Sequence, residues 1–304
     1  MTVARGADER IEQVETRPPL DDLRRISAEA RRLIVQSIHH AGAGHLGGPL
    51  SATDLLTALY FDQMQIDPER PDWAERDRFI LSKGHSSIAL YTVLALRGYY
   101  PIEELKTFDA AHSRLQGHPD MHALPGLEMS TGSLGQGLSP GAGMALGARL
   151  RGLEFHTFVM LGDGEIQEGQ IWEAAFMAAR YRLDNLIAIV DYNGLPQFGW
   201  PDPSGHTRAT GFDDPAGKFR AFGWHVIECD GHDHAAIRAA LDTARAHEGE
   251  PTCVVAHTIK GKGISFMEGD YLWHAKPPTD QHLADAEAEI EELLSTIAAK
   301  GGRA

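Results

Sequence analysis

The sequence predicts an α/β fold built on a mainly parallel sheet, and two stretches carry that expectation. Residues 156–197, HTFVMLGDGEIQEGQIWEAAFMAARYRLDNLIAIVDYNGLPQ, run as an apolar strand (156–161), a Gly-Asp-Gly turn, an amphipathic helix, a second apolar strand (185–190) and an Asn-Gly turn. Further on, 224–229 and 251–258 are two more strand-like runs, with a helical stretch at 233–247 between them. Strands that alternate with helices pair in parallel through crossovers. A chain of 304 residues can bury the core of one large domain.

Taken in order, residues 1–20 are polar, charged and end in Pro18-Pro19, which predicts a flexible N-terminal arm before a domain over 21–300. Leu23, Ile26, Ala30, Leu33, Ile34 and Ile38 recur at helical spacing over 21–40. That helix stops at AGAGHLGGP, and Ser51 with Asp54 three residues on predicts the capped start of the next. Residues 77–99 predict strand, turn and helix with a stop at Gly98, and 101–108 a short helix. The segment 112–137 is a long polar loop, a kind that carries function in compact domains. Pro140 in a first turn predicts a helix through Arg149. Its GAGMALG fails as a dinucleotide fingerprint, because it follows a loop and is spaced G-x-G-x-x-x-G; small residues there suit close helix packing. On the central helix Glu168, Ile171, Trp172, Ala175, Phe176 and Ala179 form the expected inner face. Residues 201–211 and 260–278 are loops, the second at the end of a strand where α/β folds bind ligands. Residues 280–299 predict a final charged helix and 301–304 a tail.

Composition narrows the function. The 28 Lys and Arg against 43 Asp and Glu give a formal net charge of −15, which argues against nucleic acid or an anionic membrane as the main partner. No apolar run reaches membrane-span length and the N-terminus has no signal-peptide core, so a cytoplasmic protein is expected. Cys229 and Cys253, each in an apolar run, fit buried thiols better than a disulfide framework.

A parallel β-α-β crossover brings Asp163 and Asn193, 30 positions apart, to one sheet edge. Gly162 and Gly164 allow close backbone approach of an anion, at the positive end of the helix that follows. Asp163, the Asn193 amide oxygen and a backbone carbonyl just beyond make a hard-oxygen half-shell, which Mg²⁺ completes with phosphate oxygens and water. The same residues would equally serve a buried turn, with Asp163 as a helix cap. His45 in a Gly-rich loop and His85 between strand and helix are either caps or anion contacts. His118 and His122 invite a zinc reading, but Pro119 breaks the helix that would align them and no thiolate accompanies them.

GDG followed about thirty residues later by DYNG resembles the diphosphate-binding motif of thiamine-diphosphate enzymes. The blocks GHLGGPLS, DRFILSKGH, GHPD, TGSLGQG and WHA, in that order over about residues 21–290, are similar to the transketolase family. The resemblance implies the family's diphosphate domain, a mainly parallel sheet with helices on both faces, moving a two-carbon ketol unit from a ketose to an aldose. It implies that Asp163, Asn193 and the Leu195 carbonyl hold Mg²⁺ or another divalent cation. Gly164, His85 and His274 would hold diphosphate, and Gly132, Ser133 and Leu134 the aminopyrimidine ring. His45, His118 and His274 would be the catalytic imidazoles that hydrogen-bond sugar hydroxyls or relay protons. The family's activating carboxylate belongs to a second domain that normally follows this one. The expectation is therefore an N-terminal subunit completed by a separate C-terminal subunit in an α2β2 assembly, with Glu168 near their interface. Sugars or sugar phosphates, including sulfonated or branched ones, are the implied substrates. A deoxyxylulose-phosphate synthase-like enzyme, a dehydrogenase component and a non-catalytic cofactor-binding module share GDG…N; a NAD-dependent enzyme would need a fingerprint that is absent after the first strand.

Overall fold

The computed structural model of the chain describes residues 17–195, 200–201, 207–208 and 214–301. Most of the expected arm, most of the 201–211 loop, Gln197 and the last three residues of the tail lie outside the described residues. Helices α1 (Leu20–Ala41) and α2 (Gly47–Ala58) lead into β1 (Arg78–Leu81) and α3 (Ser87–Arg97). After the long loop come α4 (Leu138–Arg151), β2 (Thr157–Gly162), α5 (Gly169–Arg180) and β3 (Leu186–Tyr192). A two-residue antiparallel pair, β4 (Trp200–Pro201) with β5 (Thr207–Arg208), precedes α6 (Pro215–Ala221), β6 (His225–Asp230), α7 (His234–Ala246), β7 (Thr252–His257) and α8 (Asp280–Gly301).

The five long strands form one sheet, all pairs parallel, in the order β1-β2-β3-β7-β6. Residues in register alternate between its faces. Leu81, Met160, Ile189, Val254 and Ile227 pack on one side with α1, α2, α3 and α7. Ile80, Val159, Ala188, Cys253 and Val226 pack on the other with α4, α5 and α6. Crossover handedness accounts for the division: β2→β3 and β6→β7 step across the sheet in opposite directions, so right-handed connections put α5 and α7 on opposite faces. Strands covered on both sides read as continuous apolar runs, which is why they were legible. Both cysteines are free thiols, with burial pushing Cys229 up to about 11 and Cys253 above its usual range. Among the described residues no helix is long and apolar enough to cross a membrane.

Three local expectations need correction. Helix α2 starts at Gly47, not Ser51, with Pro49 in its first turn, so Ser51 and Asp54 lie inside the helix and point into the protein. Ser51 Oγ donates to Gly48 O (2.9 Å) and to Asp191 (2.6 Å), while Asp54 accepts from Arg31 (2.5 Å). The inner face of α5 is Ile171, Ala174, Ala175 and Ala178, and Phe176 is 59% exposed. AAFMAA is apolar all round, so spacing alone could not phase it. Finally, the Gly-Asp-Gly turn runs into a 3₁₀ turn, Glu165–Gln167, before α5 begins.

The GAGMALG stretch gives a test of packing. A Cβ on Gly141 would sit 2.4 Å from Val159 Cγ2, whereas one on Gly143 meets nothing within 4 Å. Gly141→Ala is expected to cost about 1–3 kcal/mol by overpacking, and Gly143→Ala to stabilise by about 0.5–1 kcal/mol as a helix-interior glycine removed. Urea denaturation of both variants checks the opposite signs.

Candidate functional site

A cavity of about 300 Å³ opens where β1, β2, β3 and β7 end. Each end contributes through the turn that follows it, so the sheet fixes the relative positions of residues far apart in sequence. Asp163 and Gly164 follow β2, Asn193 and Leu195 follow β3, and Lys83 and His85 follow β1. His45 comes from the α1–α2 loop, His118, Gly132 and Leu134 from the long loop, and His274 from the 3₁₀ turn Tyr271–His274. All of these line the cavity. Ser133 is exposed beside it and does not, as is Glu168, while His122 is exposed and does not share it.

Two parts of the site differ in character. On one side the Asp163 carboxylate accepts from Gly164 N (2.7 Å) and Gly194 N (2.5 Å), and Asn193 Oδ1 accepts from Leu195 N (3.1 Å). Burial and the neighbouring Asp191 carboxylate raise the proton affinity of Asp163. On the other side three imidazoles cluster, with ring centroids 5.1 Å apart for His45–His85 and His45–His274 and 5.3 Å for His85–His274. Burial lowers all three, helped by Lys83 and other cationic neighbours at His85, which falls to about 2, and by Lys260 at His274, which falls to about 3. Each ring is thereby biased towards its neutral form.

In the cavity wall and just behind it lie groups that sequence reasoning missed. Lys83 pairs with Asp191, which also accepts from Ser51 (2.6 Å) and Thr258. Burial opposes the Asp191 charge, but the Lys83 ammonium and the two hydroxyl donors hold the carboxyl below its usual range. Glu165 accepts from Ser82 Oγ (2.5 Å), Gly135 N (2.9 Å) and Gly162 N (3.0 Å), bracing two of the turns. Lys260, in the loop after β7, is buried and donates to Leu195 O at 2.6 Å. A charged residue inside an apolar strand end was the signal for Asp191, since such a group must be paired.

The donor set suits one kind of cation. Among the described residues no group of three or more His, Cys, Asp or Glu converges to hold a metal unaided. What converges is one carboxylate, one amide oxygen and one main-chain carbonyl, oxygens for a hard ion that brings phosphate ligands of its own. The imidazoles and Lys260 line the same cavity.

Comparison with known proteins follows the same line. A profile for the transketolase thiamine diphosphate binding domain matches residues 23–290. The chain is 44% identical to one subunit of the 6-deoxy-6-sulfo-D-fructose transketolase of Clostridium sp. (strain MSTE9), over 89% of this chain and 97% of that one. It is 39% identical to one subunit of the apulose-4-phosphate transketolase of Phocaeicola vulgatus, covering 89% and 94% respectively. Against transketolase 1 of Escherichia coli (strain K12) identity is 37%, over 84% of this chain and 39% of that one. Among solved structures, a transketolase variant from Pichia stipitis superposes with a TM-score of 0.82 at 31% identity, covering 92% of this chain and 44% of that one.

The imidazole cluster makes stability depend on pH. In the folded chain His85 and His274 stay unprotonated down to about 2 and 3, while unfolded histidine takes up a proton near about 6.5. The unfolded chain therefore binds more protons as pH falls below that value, and the stabilisation present above it drains away. Thermal melts of the unloaded chain should fall in midpoint from pH 7 to pH 5, with a shallower slope in His85→Asn.

Proposed function

We propose that this chain, which belongs to the transketolase family, is the cofactor-holding N-terminal subunit of a two-polypeptide transketolase. The observation that carries this is the meeting, at one sheet edge, of the Asp163–Asn193–Leu195 oxygens with the His45–His85–His274 cluster. The division of labour is supported by relatives named as subunits, which the chain spans almost entirely, whereas it spans 39% of a single-chain transketolase. Asp163, the Asn193 amide oxygen and the Leu195 carbonyl are assigned to Mg²⁺ or another divalent cation. Gly164 N–H, His85 and His274 are assigned to the diphosphate, and the backbone around Gly132, Ser133 and Leu134 to the aminopyrimidine ring.

When bound, thiamine diphosphate supplies the electron sink for breaking and making a carbon–carbon bond beside a carbonyl. The protein orients the sugar and handles its protons. His45, held neutral by burial, suits accepting a hydrogen bond or a proton from a sugar hydroxyl rather than acting as a standing acid, while His274, also lowered by burial, is suited to hydrogen-bond the sugar or the diphosphate as a neutral ring. His118, whose ring centroid lies 6.4 Å from that of His45, extends the same row towards the cavity mouth. The substrates are a ketose donor and an aldose acceptor, carried as sugars or sugar phosphates. The two relatives named above act, by their names, on a sulfonated and on a phosphorylated sugar, so an anionic terminus gripped by the partner subunit fits this chain too. An α2β2 assembly in the cytoplasm completes the proposal.

Co-expression with the partner subunit tests it. The pair is expected to transfer a ketol unit from a ketose, not to condense pyruvate, and this chain alone to turn over neither. Magnesium-dependent uptake of thiamine diphosphate, followed by calorimetry on the pair, should weaken at least roughly 100-fold in Asp163→Ala. Uptake indifferent to that change would overturn the site assignment.

A further inference from the structure

We propose that Lys260 is a positioning residue that holds the cation site open before the cation arrives: its ammonium sits on the Leu195 carbonyl and fixes His274 with its proton on Nε2, then yields the carbonyl to the divalent ion. The inference rests on the functional reading above for the role of Leu195. The geometry behind it is direct. Lys260 lies just beyond β7, is 3% exposed, and its Nζ is 2.6 Å from Leu195 O and 3.0 Å from His274 Nδ1. Both partners are groups assigned to the cofactor, and they come from turns 79 positions apart in sequence.

The placement is built into the fold. The Lys260 alkyl chain runs over Gly47 at the start of α2, where a Cβ would come within 2.8 Å of Lys260 Cγ. The backbone is pinned by Gly261 N donating to Gly47 O (3.0 Å) and Gly269 N donating to Lys260 O (2.9 Å). Unlike Lys83, which pairs with Asp191, Lys260 has no carboxylate in hydrogen-bond contact among the described residues; burial and the Lys83 charge lower its proton affinity, to about 8, and Asp163 and Asp191 offset this only from a distance. A buried ammonium without a counter-ion is costly unless a ligand supplies the negative charge.

Two consequences follow from the chemistry of the groups. An ammonium has donors only, so Nδ1 of His274 must accept, and the neutral ring carries its proton on Nε2. That nitrogen has no hydrogen-bond partner among the described residues and belongs to a ring that lines the cavity, a donor ready for an anionic oxygen. Second, a divalent ion and an ammonium cannot both contact one carbonyl oxygen without their like charges facing each other. Lys260 Nζ would therefore give up Leu195 O to a bound ion, and its donors would be free for the anion. Until then the ammonium keeps the Leu195 carbonyl turned inward.

The test uses the full chain with its partner subunit, comparing wild type with Lys260→Met and Lys260→Gln. The probes are Mn²⁺ alone and Mn²⁺ with inorganic pyrophosphate, read by paramagnetic resonance and calorimetry at one pH. With Mn²⁺ alone both variants are expected to bind about fivefold or more tightly than wild type, because a competitor for the carbonyl has gone. With pyrophosphate present the order reverses, because the anion has lost a donor. Nitrogen-15 spectra of the imidazoles, with His274 assigned by its loss in His274→Asn, are expected to show one tautomer in wild type and a mixture in Lys260→Met. A lysine that only supports the fold would weaken binding under both conditions. Mn²⁺ affinity unchanged or reduced in a folded variant, or an unaltered His274 tautomer, overturns the proposal. Wild type that takes up no Mn²⁺–pyrophosphate would instead sink the cofactor assignment and leave the tautomer result standing on its own.

Discussion

The ion pair between Lys83 and Asp191 is the constraint on which the site depends. Both side chains are almost wholly buried, at 2% and 0% exposure. Removing two charges from water costs several kcal/mol each, and attraction repays that only when further hydrogen bonds complete the geometry. Here they do: Asp191, near the end of β3, also accepts from Ser51 in α2 and Thr258 just after β7, while Lys83 follows β1 and also donates to Gly48 O at 3.3 Å. One carboxylate thus joins three strand ends and a helix directly beneath the cavity. The turns carrying His85, Asn193 and Lys260 extend from those pinned points, so their relative positions follow from the pair.

A second buried network supports the loop after β7. Arg31 donates to both oxygens of Asp54 (3.1 and 2.5 Å) and to Lys262 O (2.9 Å). His232 Nε2 accepts from Ile259 N at 2.8 Å, so its Nδ1 carries the proton donated to Asp54, also at 2.8 Å. Ser27, His234 and Asp54 resemble a nucleophilic triad in composition. Their geometry denies it: His234 Nε2 faces both Ser27 (3.1 Å) and Asp54 (3.5 Å), so the ring cannot pass a proton from one to the other, and all three are buried. This cluster tethers α1, α2 and α7 to the segment that carries Lys260.

Much of this was legible in the sequence because it is local. The strand–turn–helix–strand unit and the Gly-Asp-Gly and Asn-Gly turns are each set by a few adjacent residues, and parallel strands buried on both faces read as plain apolar runs. Phase was less legible. The AAFMAA stretch of α5 offers no polar stripe, so whether Ala174 or Phe176 faces the sheet depends on α4. The start of α2 was misread because Ser51 and Asp54 have the types of a capping pair, yet their partners, Asp191 and Arg31, lie 140 and 23 positions away. Lys83, Asp191 and Lys260 escaped for the same reason: pairing across 65 to 108 positions leaves no trace in local spacing.

The charge distribution within the cavity says what kind of ligand satisfies it. The chain as a whole carries −15, yet His85 and His274 are held neutral partly by lysine ammonium groups, while Asp163 is disfavoured as an anion by burial and by Asp191. One side of the site therefore gains from an added anion and the other from an added cation. A bare phosphate would leave Asp163 facing Asp191 unrelieved, and a bare metal ion would add to the repulsion around Lys260. Only a ligand that carries both signs in contact, a divalent ion on a diphosphate, relieves both sides at once. Burial, with like-charged neighbours, thus raises the proton affinity of Asp163 and lowers that of the imidazoles, and such a ligand would offset both.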